Sequence, residues 1–243
     1  MKRINFNMIT FSLCCVLIFG FQNALYAQND VDTNSVDQYT KGQLLYQDSF
    51  DQGMKNWVVE TPESQYSNVG IENEKLIIDV DHGATVWFIK KLSSNILIEY
   101  HRKVIMNEGQ NDRLSDLNQF WMATDPRNEN VFTRSGIFSE YDSLSLYYAG
   151  IGGNYNGTTR FRKYQGNGER TLITDLQDEH HLLQPNKTYF IQIVVYNGTT
   201  KLYVDGEQYF SFTDDEPLTE GYFGFRTVKS NQEMDDFKVY RLK

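Results

Sequence analysis

The chain has two cysteines, adjacent at positions 14 and 15, and none in the rest of its 243 residues. The body of the protein therefore has no disulfide framework, no thiolate nucleophile and no cysteine metal site. Basic residues are outnumbered 23 to 32 by acidic ones, a net charge of −9, and an acidic surface repels phosphate backbones. Nucleic acid is thus disfavoured as a partner. The longest apolar run, 8 to 21 (MITFSLCCVLIFGF), is too short to cross a bilayer comfortably. No glycine-rich phosphate loop, GxSxG elbow, HExxH helix or EF-hand loop occurs, so no metal or cofactor is expected. The strand-borne pair of glutamates that a retaining glycosidase needs is also missing. Glu72 and Glu74 have the right spacing, but their setting, IENEKL, reads as an exposed turn.

What is present begins with Met-Lys-Arg, the apolar run, and Ala27 before the polar Gln28-Asn29-Asp30. This is the pattern of a secretory signal peptide, with cleavage expected after Ala27 and a periplasmic or secreted destination. Lys2 and Arg3 leave with it, so −9 becomes −11, and both cysteines leave too. Residues 28–43 are polar without an apolar period and read as a flexible leader. From Leu44 to the C-terminus, short runs rich in Val, Ile, Tyr and Phe alternate with Gly, Asn, Asp and Pro turns, as in an all-β domain. Asn197-Gly198 between YFIQIVVY and TKLYV is a hairpin signal, because both turn residues tolerate positive φ. Asp205-Gly206 extends that hairpin to a meander. Twelve or more strands, including expected strands at 96–106, 136–138 and 158–164, predict a two-sheet antiparallel β-sandwich in one monomeric domain.

The run from Tyr189 through YVDGEQYF, GYFGFRT and DDFKVYRL resembles the concanavalin-A-like, laminin-G-like jelly rolls of carbohydrate-active secreted proteins. In such a fold the first strand, LLYQDSF, lies beside the last. NQFWMATDP at 118–126 and GIGGNYNGTTRFRKY at 150–164 are similar to small secreted jelly rolls of polysaccharide-degrading bacteria, a set that includes uronic-acid lyases and oligosaccharide dehydratases. The resemblance implies a sugar-directed protein. It leaves eliminase, binding module and hydrolase open, because one fold hosts all three.

The residues themselves point to an anionic ligand. TTRFRKYQGNGER, 158–170, carries Arg160, Arg162, Lys163 and Arg170 against Glu169 alone, a positive island in an acidic chain. Period-2 geometry puts Arg160, Arg162 and Tyr164 on one strand face, a row suited to gripping a carboxylate or sulfate. On 96–106 the same rule groups Glu99, His101 and Lys103 opposite Ile98, Tyr100 and Val104. Asn118, Gln119 and Trp121 supply amides and an indole expected on a groove, and Asn154 and Asn156 sit in the glycine-rich turn. β-Elimination at a uronate needs a neutralised carboxylate, a base for the C5 proton and an acid for the C4 substituent. Expected roles are therefore His101 and Tyr164 or Tyr147 for proton transfer and Arg162 for the carboxylate. Arg160, Lys103, Gln119, Trp121, Asn118, Asn154 and Asn156 would bind a uronic-acid glycan, sulfated or not. Tyr164 qualifies as a base only if the arginines lower its pKa from about 10.

With both cysteines removed, thermal unfolding of the exported protein is expected to coincide with and without reductant. A lower melting temperature in reductant would contradict loss of Cys14 and Cys15.

Overall fold

The computed structural model describes residues 35–243. The expected signal peptide and residues 28–34 of the expected leader lie outside these. The first half of the chain forms β1 (Lys41–Asp48), β2 (Trp57–Glu60), β3 (Asn68–Glu72), β4 (Lys75–Val80), β5 (Ala84–Phe88), β6 (Leu92–Ser93), β7 (Ile96–Val104) and β8 (Leu117–Thr124). The second half forms β9 (Ser145–Gly152), β10 (Thr158–Gln165), β11 (Arg170–Leu176), β12 (Thr188–Tyr196), β13 (Thr199–Val204), β14 (Glu207–Thr213), β15 (Glu220–Thr227) and β16 (Ser230–Leu242). They build two sheets. The first has the order β14-β13-β12-β7-β16-β4-β3 with β1 on β16; the second has β11-β10-β9-β8-β15-β5-β2 with β6 on β15. All pairings are antiparallel, and the first strand does lie beside the last. This is a jelly-roll sandwich. Among the described residues no helix is long and apolar enough to cross a membrane.

Local sequence explains the elements. Lys75–Val80 (KLIIDV) alternates half-buried and buried side chains along its whole length, the signature of a strand with one face on the core. Asn197 and Gly198 adopt φ of 47° and 78° and close the β12–β13 hairpin with Tyr196 opposite Thr199. Asp205 and Gly206, at 52° and 86°, close β13–β14 in the same way.

Between the sheets, Trp57 stacks on Phe225 at 5.4 Å and meets Phe237 and Phe88, while Tyr100 packs edge-on against Phe225. A second apolar cluster lies on the outer face of the second sheet: Trp87, Phe120, Leu146, Tyr148 and Tyr164. The connection 125–144 covers it with Phe132, Phe138 and Tyr141. Glu60 anchors this cover by accepting from Trp87 Nε1 and the Tyr141 hydroxyl, both at 2.7 Å, and from the Arg134 amide.

Several boundaries differ from those the sequence predicts. The ordered chain begins before residue 44: Ser35 caps a three-ten turn at Val36–Gln38, Tyr39 packs on Tyr196 at 5.5 Å, and β1 starts at Lys41. Residues 68–72, for which the sequence predicts no strand, form edge strand β3, whose half-exposed side chains carry little alternation. Residues 136–138 form no strand but lead into the three-ten turn Phe138–Ser143.

Among the buried polar side chains, Arg102 makes the most contacts between the sheets. Arg102 on β7 points inward and is fully buried. Its guanidinium donates to Gln232 Oε1 on β16 of its own sheet. It also reaches across to the second sheet, to the carbonyls of Asn118 (2.6 Å) and Arg226 (3.1 Å). Burial pulls its pKa down to about 10, with Tyr100 and Asp116 opposing, so it stays charged at neutral pH. Arg102→Met is expected to cost about 3 kcal/mol, because two carbonyls and an amide oxygen lose their donor in a dry core. Chemical denaturation measures this, and a change under about 0.5 kcal/mol would show that the network is dispensable.

Candidate functional site

The cover 125–144 leaves part of the second sheet's outer face open, at the end where β9 turns into β10. There a cleft of about 260 Å³ is lined by Asn118, Tyr148, Gly150, Arg160 and Arg162 from the strands. Arg113 and Asp116 border it from the loop before β8, Asn154 and Tyr155 from the β9–β10 turn, and Phe138 and Val228 from its rim.

The β9–β10 turn is unusual in its backbone. Asn154, Tyr155 and Asn156 have φ of 52°, 57° and 62°, all left-handed, after Gly152 at 69°. Asparagine tolerates this region, but a tyrosine there is strained and needs its surroundings to hold it. Asn156 does so by clamping Leu183, accepting from its amide at 2.8 Å and donating to its carbonyl at 2.9 Å. The Tyr155 ring is 82% exposed, with the Arg113 guanidinium 5.4 Å from its centre. Gly150 is required for space: a Cβ there would sit 2.2 Å from the Tyr148 hydroxyl and 2.6 Å from Asn118 Oδ1. Those two groups share a 3.0 Å hydrogen bond, donated by Tyr148, on the cleft floor. Burial pushes the Tyr148 hydroxyl above the ordinary tyrosine range, Tyr164 and Asp116 push the same way, and Arg162 and Arg226 oppose them.

Charge pairing sorts the positive island. Lys163 points into the core and pairs with Asp214 at 2.7 Å, Arg160 with Asp175 at 3.1 Å, and Arg170 with Asp142 at 2.8 Å. Arg162 has no carboxylate partner among the described residues. Its guanidinium lies 5.5 Å from the Tyr148 ring centre, facing the cleft. Asp116, the acidic group at the cleft, is engaged by Arg113.

The structure thus brings together Arg160, Arg162, Asn118 and Asn154, and it separates the other predicted site residues from them. His101 and Lys103 lie on β7, on the outer face of the first sheet, with the whole core between them and Arg162. His101 stacks on Phe190 at 4.9 Å and Lys103 pairs with Glu233 at 3.1 Å. The core also lies between His101 and Tyr164, which belongs to the outer-face cluster of the second sheet. Gln119 and Trp121 face inward rather than onto a groove. Gln119 donates to the Ala149 carbonyl and accepts from Tyr100, and Trp121 stacks on Phe161 at 5.7 Å while donating to Thr200. Tyr147 is also in the core, donating to Asp214 at 2.6 Å, and burial with Asp214 pushes its pKa up. Tyr164 is on the expected face but beneath the cover. Burial pushes it up to about 12, outweighing Arg170 and Arg162, so the arginines do not make it a base. Asn156 is a clamp within the turn.

The sequence reasoning missed Tyr148, Tyr155, Arg113 and Asp116. In LSLYYAG the inward tyrosine and the cleft tyrosine are neighbours, and alternation cannot choose between them when both sheet faces are covered by apolar side chains. The pentapeptide YNGTT occurs at 155–159 and at 196–200, but its copies turn differently: Asn197 and Gly198 have φ of 47° and 78°, whereas Asn156 and Gly157 have 62° and −107°.

Two conservative variants separate these roles. The Tyr164 hydroxyl is buried without a well-aligned hydrogen bond, so Tyr164→Phe is expected to change stability by less than about 0.5 kcal/mol. Tyr147→Phe strips a donor from Asp214 and an acceptor from the Leu218 amide, and should cost about 1–3 kcal/mol by denaturant unfolding. The reverse order would contradict these placements.

Solved structures share the architecture. A protein of unknown function with a galectin-like fold from Bacillus subtilis superposes with a TM-score of 0.70 at 19% identity, covering 84% of this chain and 98% of that one. The carbohydrate-binding module CBM66 from Bacillus subtilis gives 0.54 at 12% identity, over 76% of this chain and 95% of the module. An endo-β-1,3-glucanase from Pyrococcus furiosus gives 0.57 at 12%, over 83% and 95%. At such identities the likeness is one of fold. No curated protein matches the chain in sequence. A family model does, over residues 78–237, and the chain belongs to that family, a domain of unknown function designated DUF6250.

Proposed function

We propose that the protein is exported and, as a monomer, binds an anionic saccharide of the uronic-acid class in the cleft on the second sheet. The observation that carries this reading is Arg162, a guanidinium facing the cleft without a carboxylate of its own while its three cationic neighbours along the chain are neutralised. A sugar carboxylate supplies the missing partner bidentately, a geometry that arginine favours over lysine. Asn118 and Asn154 add amides, and the exposed Tyr155 ring offers an apolar face for a pyranose. The sugar-directed relatives in fold, a carbohydrate-binding module and a glucanase, support the ligand class.

A second reading, β-elimination, is favoured by one observation: the Tyr148 hydroxyl lies at the cleft beside Asn118 and Arg162. Arg162 and Asn118 would stabilise charge on the carboxylate as the C5 proton passes to the carboxylate of Asp116, which lines the cleft. Tyr148, kept protonated by burial, suits the acid that assists departure of the C4 substituent.

Calorimetric titration with glucuronate or galacturonate oligosaccharides distinguishes the outcomes. Wild type should bind them in preference to a neutral glucan, and Arg162→Ala should weaken binding at least about tenfold with the fold intact. Equal binding of neutral glucan, together with an unaffected Arg162→Ala, would overturn the reading. If the ultraviolet absorbance of a C4–C5 unsaturated uronate grows during incubation, Tyr148→Phe should slow it by about 10² or more. Its absence leaves binding alone.

A further inference from the structure

The elements behind the cleft carry a second cluster of chemistry-bearing side chains, to which neither the motifs nor the cleft assigns a role. His180, His181 and Glu207 each offer a ligand atom, and these atoms lie within 4.8 Å of one another. The histidines come from the three-ten turn Glu179–His181, and Glu207 opens β14. His180 Nε2 is 2.6 Å from Glu207 Oε2, and His181 Nε2 is 3.9 Å from Glu207 Oε1.

Two further features preorganise the cluster. Both carboxylate oxygens of Asp178 lie 2.8 Å from His181 Nδ1, so a neutral His181 ring carries its proton on Nδ1 and turns its Nε2 lone pair towards Glu207. A carboxylate behind a histidine is the usual outer layer of a zinc ligand. The ring is also fixed edge-on to Tyr209 at 4.7 Å. In this tautomer His181 Nε2 and Glu207 are two acceptors facing each other, an arrangement that a cation between them satisfies. Zinc bonds of roughly 2.0–2.2 Å to nitrogen and oxygen in tetrahedral geometry set ligand atoms about 3.4 Å apart. The exposed His180 would back away from Glu207 and His181 would approach it, each by under about 1 Å.

We propose that His180, His181 and Glu207 bind one zinc-like divalent cation, with a position left for water. Zinc fits the two-imidazole, one-carboxylate donor set, and copper or nickel would compete for it. The site is also tied to the cleft. The His181 carbonyl accepts from Thr159 Oγ1 at 2.6 Å, and two residues on, Leu183 is held by Asn156 in the turn that carries Tyr155. A bound cation would brace this segment from behind while touching no cleft residue.

The test is calorimetric zinc titration of the full chain, alongside thermal unfolding with and without zinc. The expected result is one zinc per chain and a higher melting temperature in zinc, because a ligand of the native state stabilises it. His181→Ala and Glu207→Gln should abolish both effects, and Asp178→Asn should weaken affinity about 10- to 100-fold at unchanged stoichiometry. Glu207 and Asp178 are exposed, so their variants report on the site even if His181→Ala fails to fold. Absence of zinc binding by wild type would overturn the proposal. So would binding unchanged in Glu207→Gln and Asp178→Asn, which would move the metal elsewhere, for example to Cys14 and Cys15. Uronate binding by the metal-free variants keeps the outcome separate from that of the cleft reading.

Discussion

The buried Arg102 guanidinium ties the two layers of this protein together, with the Tyr100–Gln119 and Trp121–Thr200 hydrogen bonds beside it. The sheets share no strand pairing, so apolar packing alone would leave their relative position loosely specified. Arg102 leaves the first sheet and donates to carbonyls on β8 and β15 of the second, while Gln232 and Gln119 accept its remaining hydrogens. Hydrogen bonds are directional and dispersion is not, so this network selects one register of sheet on sheet. Its β8 acceptor is the carbonyl of Asn118, the residue whose side chain holds Tyr148 on the cleft floor. The core and the candidate site are thus two sides of one strand position.

The second constraint is the cover over the second sheet. Aromatic side chains on an outer face are costly unless something shields them, and 125–144 does this for Trp87, Phe120 and Tyr164. Glu60 joins cover to sheet through three accepted hydrogen bonds. Where the cover ends, polar and cationic residues replace the aromatics, and a cleft opens beside an aromatic ring held in a strained turn. Strain of this kind persists where neighbouring contacts determine it, here the Asn156 clamp on Leu183.

Much of the fold was legible from periodicity and turn chemistry. Strands such as 75–80 and the Asn197-Gly198 hairpin follow from local rules, and the pairing of first strand with last follows from the resemblance to jelly rolls. The candidate site was legible only in part. Period 2 correctly grouped Arg160 with Arg162, and Glu99 with His101 and Lys103, but it cannot say which sheet a strand joins, and β7 and β10 joined different ones. It also cannot tell inside from outside where both faces are apolar, which is why Trp121 and Tyr147 were placed on a groove and Tyr148 was overlooked. Local spacing shows the positive island but not the partners of its cations. Asp142, Asp175 and Asp214, distant in sequence, neutralise all but Arg162. Such pairings are long-range and leave no trace in local spacing.

In the proposed complex Arg162 meets a sugar carboxylate. A crystal structure of the protein soaked with a glucuronate oligosaccharide tests it most directly. The carboxylate is predicted within hydrogen-bond distance of the Arg162 guanidinium, with a pyranose ring against Tyr155. A saccharide seated instead on the His101 face of the first sheet, or with its carboxylate turned away from Arg162, would contradict it.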